Sequence, residues 1–222
     1  MRPHYKFWPR RLPHAITLPA TSLWDNLATN ARRYPDKAAL VFFGTTVSYR
    51  QLMEGAERLA ARLAQLGVQR GDRVVLCMQN CPQLVMAHFA ILCANAVVVP
   101  VNPMNRAEEL KHYITDPDTK VAITTGDLAP EMAKASNALA AGERLAHLVV
   151  TQFSDAFDVG VTGMDAPPEA WMDWLGTRHP LPALEGGQAH AWVDALACAD
   201  APPVVLVGPA DLALLPYTSG TT

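Results

Sequence analysis

The chain lacks the signatures of several common enzyme classes. It has no Gly-x-x-x-x-Gly-Lys-Ser/Thr, which excludes the most widespread way of cradling a nucleotide. It has no Gly-x-Ser-x-Gly, the strained turn that exposes a hydrolase serine. Its seven histidines contain no His-x-x-x-His or His-Glu-x-x-His pair, so a zinc hydrolase has no ligand set. Four cysteines, Cys77, Cys81, Cys93 and Cys198, sit in mostly apolar surroundings without Cys-x-x-Cys spacing. They read as free structural thiols in a reducing cytosol, with neither a metal site nor a disulfide framework. The first twenty residues have no apolar core and do not form a secretory signal. No membrane-length apolar run occurs either. The most hydrophobic span, residues 84–101, is interrupted by His88, Asn95 and Pro100, and reads as a buried helix followed by a buried strand. A net charge of −3 and a pI near 6.1 provide no footprint for nucleic acid.

What is present is a chain of 222 residues, 50% of them hydrophobic, enough to bury one large core or two small ones. Residues 1–20 form an N-terminal arm in which Arg2, Lys6, Arg10 and Arg11 alternate with Tyr5, Phe7, Trp8 and four prolines. The prolines exclude an amphipathic helix, so the expectation is an extended strap whose aromatics pack on the domain. Peripheral contact with an anionic membrane surface is the alternative.

Beyond the arm, helix and strand patterns alternate. Ser22 with Asp25 can cap a helix whose buried stripe is Leu23, Trp24, Leu27, Ala28 and Ala31. Residues 38–43 and 47–49 read as a hairpin across Gly44-Thr45-Thr46. Leu52, Ala56, Leu59, Ala60, Leu63 and Leu66 recur at helical spacing up to Gly67, a natural stop. Strands are expected at 74–78, 97–101, 121–124 and 148–150, with helices after Pro82, at 106–115 and near 129–139. For the helix at 106–115, Asn105 and Glu108 are the expected capping pair. Fully apolar strands separated by helices indicate a parallel sheet with right-handed crossovers. From residue 154 to 203 the pattern weakens, and Trp171, Trp174 and Trp192 read as core or edge packing.

The last twelve residues organise the rest. Residues 212–215 read as a short buried strand feeding Pro216, Tyr217 and then Thr218, Ser219, Gly220, Thr221 and Thr222. One glycine among four hydroxyl residues can turn the backbone so that successive N–H groups and hydroxyls face one set of anionic oxygens. Composition alone favours a flexible tail.

Tyr-Thr-Ser-Gly-Thr-Thr after such a strand resembles the signature phosphate loop of the adenylate-forming enzymes: acyl-CoA synthetases, luciferases and peptide-synthetase adenylation domains. Pro-Asp-Lys-Ala-Ala-Leu at 35–40 and Ser-Tyr-x-x-Leu at 48–52 are similar to the same family. The Phe-Trp-Pro element at 7–9 resembles the opening of bacterial long-chain fatty-acyl-CoA ligases. In fold, the resemblance implies α/β: a mostly parallel sheet flanked by helices, the first part of the large N-terminal domain of the adenylate-forming fold. Residues 1–20 would be the arm, and 21–222 a partial large domain ending within the loop. In function it implies ATP-dependent activation of a carboxylic, fatty, acid to an acyl-adenylate and then to acyl-CoA, with ATP, Mg2+ and coenzyme A as cofactors. Thr218, Ser219, Gly220, Thr221 and Thr222 would bind the ATP phosphates. The family loop continues into Gly-x-Pro-Lys-Gly, absent here, so the expectation is a fragment inactive by itself, with no catalytic residue of its own, that self-associates through its uncovered C-terminal surface or leaves that segment mobile. An aryl-CoA ligase, a peptide-synthetase adenylation domain and a non-catalytic binding module are the alternatives.

Overall fold

Local capping starts the fold. Ser22 Oγ accepts the Asp25 N–H at 3.3 Å, the Asp25 carboxylate accepts the Ser22 N–H at 2.7 Å, and α1 (Leu23–Arg33) begins there. Trp24, Leu27, Ala28 and Ala31 are its buried stripe; Leu23 is exposed. An antiparallel hairpin follows, β1 (Ala38–Phe42) and β2 (Thr45–Ser48). Its turn is the pair Phe43-Gly44, not Gly44–Thr46. Both residues take left-handed φ, 43° and 73°, because two such residues match the twist of the strands they join. Ser48 and Gln51 exchange the same reciprocal cap to start α2 (Tyr49–Gln65), which ends just before Gly67 at φ 88°.

The computed structural model describes residues 3–156, 161 and 163–218. After α2 the chain alternates: β3 (Arg73–Cys77), α3 (Pro82–Cys93), β4 (Val97–Val101), α4 (Ala107–Thr115), β5 (Val121–Thr125), α5 (Ala129–Asn137) and β6 (His147–Thr151). A looser stretch carries α6 (Glu169–Gly176), β7 (Gln188–Ala191) and α7 (Trp192–Leu196). Five strands form one parallel sheet in the order β4-β3-β5-β6-β7. Strand order reverses beside β3, so helices fall on both faces. On one face Leu59 and Leu63 of α2, Ile91 of α3 and Trp192 of α7 cover Val74, Val98, Ile123 and Val149. On the other, Leu110 and Ile114 of α4 and Met132 of α5 cover Val75, Val99, Ala122 and Leu148. Consecutive strand residues serve opposite cores, which is why these strands are apolar throughout.

Three readings need correction. The cap of α4 uses Glu109, whose carboxylate accepts the Arg106 N–H at 2.9 Å, while Glu108 pairs with Lys111 at 2.5 Å. The strand β7, Gln-Ala-His-Ala, has no β-branched or large apolar residue and was not anticipated; pairing with β6 creates it. The arm does not pack on the domain. It opens with a 3-10 turn (Pro3–Phe7), and every described residue from 3 to 21 except Tyr5 is exposed. Its rings contact one another instead: Tyr5 stacks on His14 at 4.2 Å, and Trp8 Nε1 donates to the Leu12 carbonyl at 3.2 Å.

Polar contacts tie the late elements to the early ones. Gln152 donates from Nε2 to the His179 carbonyl at 3.0 Å and accepts the His179 N–H at 3.1 Å. Its amide lies so close over Gly126 that an added Cβ would sit 2.3 Å from Oε1. Across the sheet, Arg62 of α2 donates to His190 Nδ1 at 3.3 Å, and His190 Nε2 lies 3.1 Å from His147 Nδ1. Guanidinium can only donate, so His190 is neutral with its proton on Nε2, passed toward His147. Burial first, then Arg62, holds both imidazoles below the ordinary histidine value.

Gly126→Ala should therefore destabilise the chain by about 1–3 kcal/mol in urea melts, by overpacking. Gly142→Ala, with nothing within 4 Å, should change stability by under about 0.5 kcal/mol. Equal effects would remove the Gln152 contact as the cause. The histidine pair predicts an acid weakness. Protons bind the unfolded imidazoles more readily, so their contribution is complete above about pH 6.5 and is lost as pH falls toward the depressed folded values. The drop in melting temperature between about pH 7 and 5 should be smaller in His190→Gln, and an unchanged drop would place the acid sensitivity elsewhere.

Candidate functional site

The route into the loop is fixed by backbone pairing at the sheet's outer edge. β4 is an edge strand, and its Val98 N–H and C=O face away from β3. Val98 N–H donates to the Ala213 carbonyl at 2.9 Å, and Leu215 N–H donates to the Val98 carbonyl at 2.9 Å, a parallel bridge centred on Leu214. The strand expected at 212–215 is thus one bridge long and half-buried. Leu212 is 58% exposed because the segment covers an edge and is not enclosed by it.

Upstream, a single side chain secures the approach. Asn95 follows α3 in the left-handed region, φ 62°, the conformation that ends a helix. Its amide is turned on the incoming chain: Oδ1 accepts from Leu206 N–H at 2.5 Å and Val207 N–H at 3.2 Å, and Nδ2 donates to the Val204 carbonyl at 2.9 Å. Asp211 then folds a turn, accepting the Gly208 N–H at 2.7 Å and pairing with Arg70 at 3.1 Å. These contacts, the Gly208 N–H foremost, hold its carboxyl below the usual range.

Downstream, Tyr217 is seated at the end of α4. Its hydroxyl donates to the Asp116 carboxylate at the end of α4, and its ring meets Tyr113 and His112 edge-on at 5.0 and 5.3 Å. Burial, and then Asp116, pushes the phenol up to about 12, so it remains a donor at any physiological pH. Thr218 is exposed. Ser219, Gly220, Thr221 and Thr222 lie outside the described residues. The sequence reading of the loop thus falls almost wholly outside the described residues, and it did not anticipate the contacts that seat the approach, Asn95, Val98 and Asp116. Only the asparagine at a helix end carried a local signal.

Chemistry available elsewhere among the described residues is limited. No group of three or more His, Cys, Asp or Glu side chains could hold a metal ion, and no helix is long and apolar enough to cross a membrane. Burial raises the Cys77 and Cys93 thiols to about 12 and Cys81 to about 11, which leaves them inert as nucleophiles. A cavity of about 330 Å³ at the carboxyl end of β3 is lined by Phe42, Phe43, Gln79, Asn80, Phe153, Trp171 and Trp174. It contains no titratable side chain. The structure thus describes the segment that leads into the loop, residues 204–218, and the contacts of Asn95, Val98 and Asp116 that seat it.

The model of the AMP-binding enzyme family matches residues 27–222. A long-chain-fatty-acid–CoA ligase of Bacillus subtilis is 35% identical over 133 residues, 60% of this chain and 24% of that protein. One from Escherichia coli O157:H7 is 30% identical over 230 residues, 98% of this chain and 38% of that protein. The chain thus spans well under half the length of these relatives. Among solved structures, an anthranilate CoA ligase in complex with anthranoyl-AMP superposes with a TM-score of 0.67 at 22% identity, over 92% of this chain and 34% of the other. At that identity the likeness concerns the fold: the parallel sheet and its flanking helices are those of an adenylate-forming N-terminal domain.

Asn95→Gly isolates the anchor, because glycine keeps the left-handed backbone and deletes three hydrogen bonds. The expected cost is about 1–3 kcal/mol. Amide exchange should rise at residues 204–217 well before it rises in β3. Unchanged exchange there would show that the edge pairing alone suffices.

Proposed function

Because this chain belongs to the AMP-binding enzyme family, we propose that its gene product activates a carboxylic acid with Mg-ATP and transfers the acyl group to coenzyme A, with a fatty acid as the substrate. The residues from Asp211 to Thr222 carry this reading. The long-chain-fatty-acid–CoA ligases among its relatives support the fatty substrate. A second reading, an aryl acid, is supported by the anthranilate CoA ligase of the same fold. The reducing cytosol is the proposed location, on the strength of four free cysteines.

In the proposed reaction a carboxylate oxygen attacks the α-phosphorus of ATP, the bond to the bridging oxygen breaks, and pyrophosphate departs with that electron pair. A thiol of coenzyme A then displaces AMP. The obstacle to the first step is repulsion between an anionic acid and an anionic triphosphate. The contribution of this chain is the cradle. Thr218, Ser219, Gly220, Thr221 and Thr222 hold the leaving phosphates with hydroxyls and N–H groups, orienting them and offsetting the charge that grows on pyrophosphate. Mg2+ arrives with the triphosphate. Tyr217 and Asn95 keep the cradle from retreating as that charge develops.

The test uses the product of the complete reading frame. Pyrophosphate exchange should be stimulated by medium- or long-chain fatty acids, and preference for benzoate-like acids would replace the fatty reading with the aryl one. Each of Thr221→Ala and Thr222→Ala removes a hydrogen bond to a charged acceptor, worth about 1.5–3 kcal/mol. Adenylation should slow roughly tenfold or more. Thioester formation from synthetic acyl-adenylate should change much less, since pyrophosphate has already left. Equal losses in both half-reactions would remove the phosphate role.

A further inference from the structure

The charge of this protein is divided unevenly along the chain. No acidic residue precedes Asp25, while Arg2, Lys6, Arg10 and Arg11 all do. That leaves fourteen basic against twenty-one acidic residues for the other 198, a net of −7 behind an arm of +4. Attraction alone would fold such an arm onto the body. It does not: Lys6, Arg10 and Arg11 form no ion pair with any carboxylate among the described residues.

The apolar side chains of the arm are turned outward as well. Phe7 is 89% exposed and Ile16 84%, with Leu18 and Leu12 close behind. The segment is nevertheless not shapeless. Tyr5 stacked on His14, Trp8 edge-on to His14 at 5.9 Å and the Trp8–Leu12 hydrogen bond close it into a knuckle, stiffened by Pro3, Pro9 and Pro13. A preformed knuckle loses little entropy on docking. Exposed aromatic and aliphatic groups interleaved with cations suit one kind of surface, apolar beneath an anionic layer.

From this juxtaposition we infer that residues 3–18 dock the protein onto bilayers rich in anionic phospholipid. Phe7, Trp8 and Ile16 enter the headgroup–acyl boundary, and Lys6, Arg10 and Arg11 rest on the phosphates. The inference stands independently of the ligase reading, since it uses no residue of the phosphate loop.

The test is flotation of the product of the complete reading frame with phosphatidylcholine vesicles, with and without phosphatidylglycerol. Binding should require phosphatidylglycerol and weaken as salt rises. Each basic residue near such a surface contributes roughly a fivefold factor, so Arg10→Gln with Arg11→Gln should lower partitioning by about tenfold or more. Phe7→Ala should weaken it at constant charge. A lipid-borne quencher should dim the tryptophan emission, and Trp8→Phe should abolish most of that dimming. All of these positions are exposed, so the variants leave the core intact. Equal binding to neutral vesicles, wild-type binding by the arginine or Phe7 variants, or quenching that survives Trp8→Phe would each overturn the proposal. So would retention by a DNA oligonucleotide with no flotation, which would reduce the arm to a general polyanion binder.

Discussion

The structure depends on one requirement, that β3 be enclosed on both faces and both edges. Arg73–Cys77 has Val74 and Leu76 turned into one core and Val75 and Cys77 into the other, so helices are needed on each side. Its backbone pairs with β4 on one edge and β5 on the other. Meeting both demands with right-handed crossovers forces the chain to build outward from β3 first one way and then the other. From this follow the reversal in strand order and the placement of α3 and α4 on opposite faces. β4 becomes the outermost full strand on its side. Its outer edge has unpaired groups at Val98, and residues 213–215 satisfy them, so the position of the loop's root is a distant consequence of enclosing β3.

Seating the segment that leads into the loop suits the proposed role of that loop, a grip on highly charged oxygens. The anchors are neutral or self-satisfied: the Asn95 amide, the Val98 backbone and a Tyr217–Asp116 pair in which the hydroxyl covers the carboxylate. No lysine or arginine hydrogen-bonds to Tyr217 or Thr218 among the described residues, and the proposed hold on phosphate rests on N–H groups and hydroxyls. Such donors are directional and do not reorganise much when their backbone is held, the condition under which they stabilise developing charge most. The surface pair Arg70–Asp211 adds little by comparison, since both partners are solvated.

The late part of the chain depends on contacts as much as on propensity. β7 is a strand of Gln, Ala, His and Ala, joined to β6 and tied back to α2 through His147, His190 and Arg62. Gln152 does similar work by occupying the space above Gly126 to hold residue 179. Both braces join segments far apart in sequence, which gives a weakly patterned stretch a defined course over the sheet.

Much of the fold was legible in the residues themselves. Ser22 with Asp25 and the apolar spacing from Leu52 to Leu63 act within a few residues of their effects, so the sequence determined those elements alone. The apolar runs of β3 and β4 declared a sheet buried on both faces for the same reason. Tyr-Thr-Ser-Gly-Thr-Thr, with its preceding strand, marked the candidate site and the family. Tertiary structure decided what local chemistry leaves open. Gln188–Ala191 became a strand only because β6 had an edge to pair, and residues 212–215 became a half-buried edge segment because β4 already held the core. The aromatics of the arm faced outward because their own stacking competed with burial. Asn95 became an anchor because its helix ended opposite residues 204–207, across a separation no periodicity in the sequence can encode.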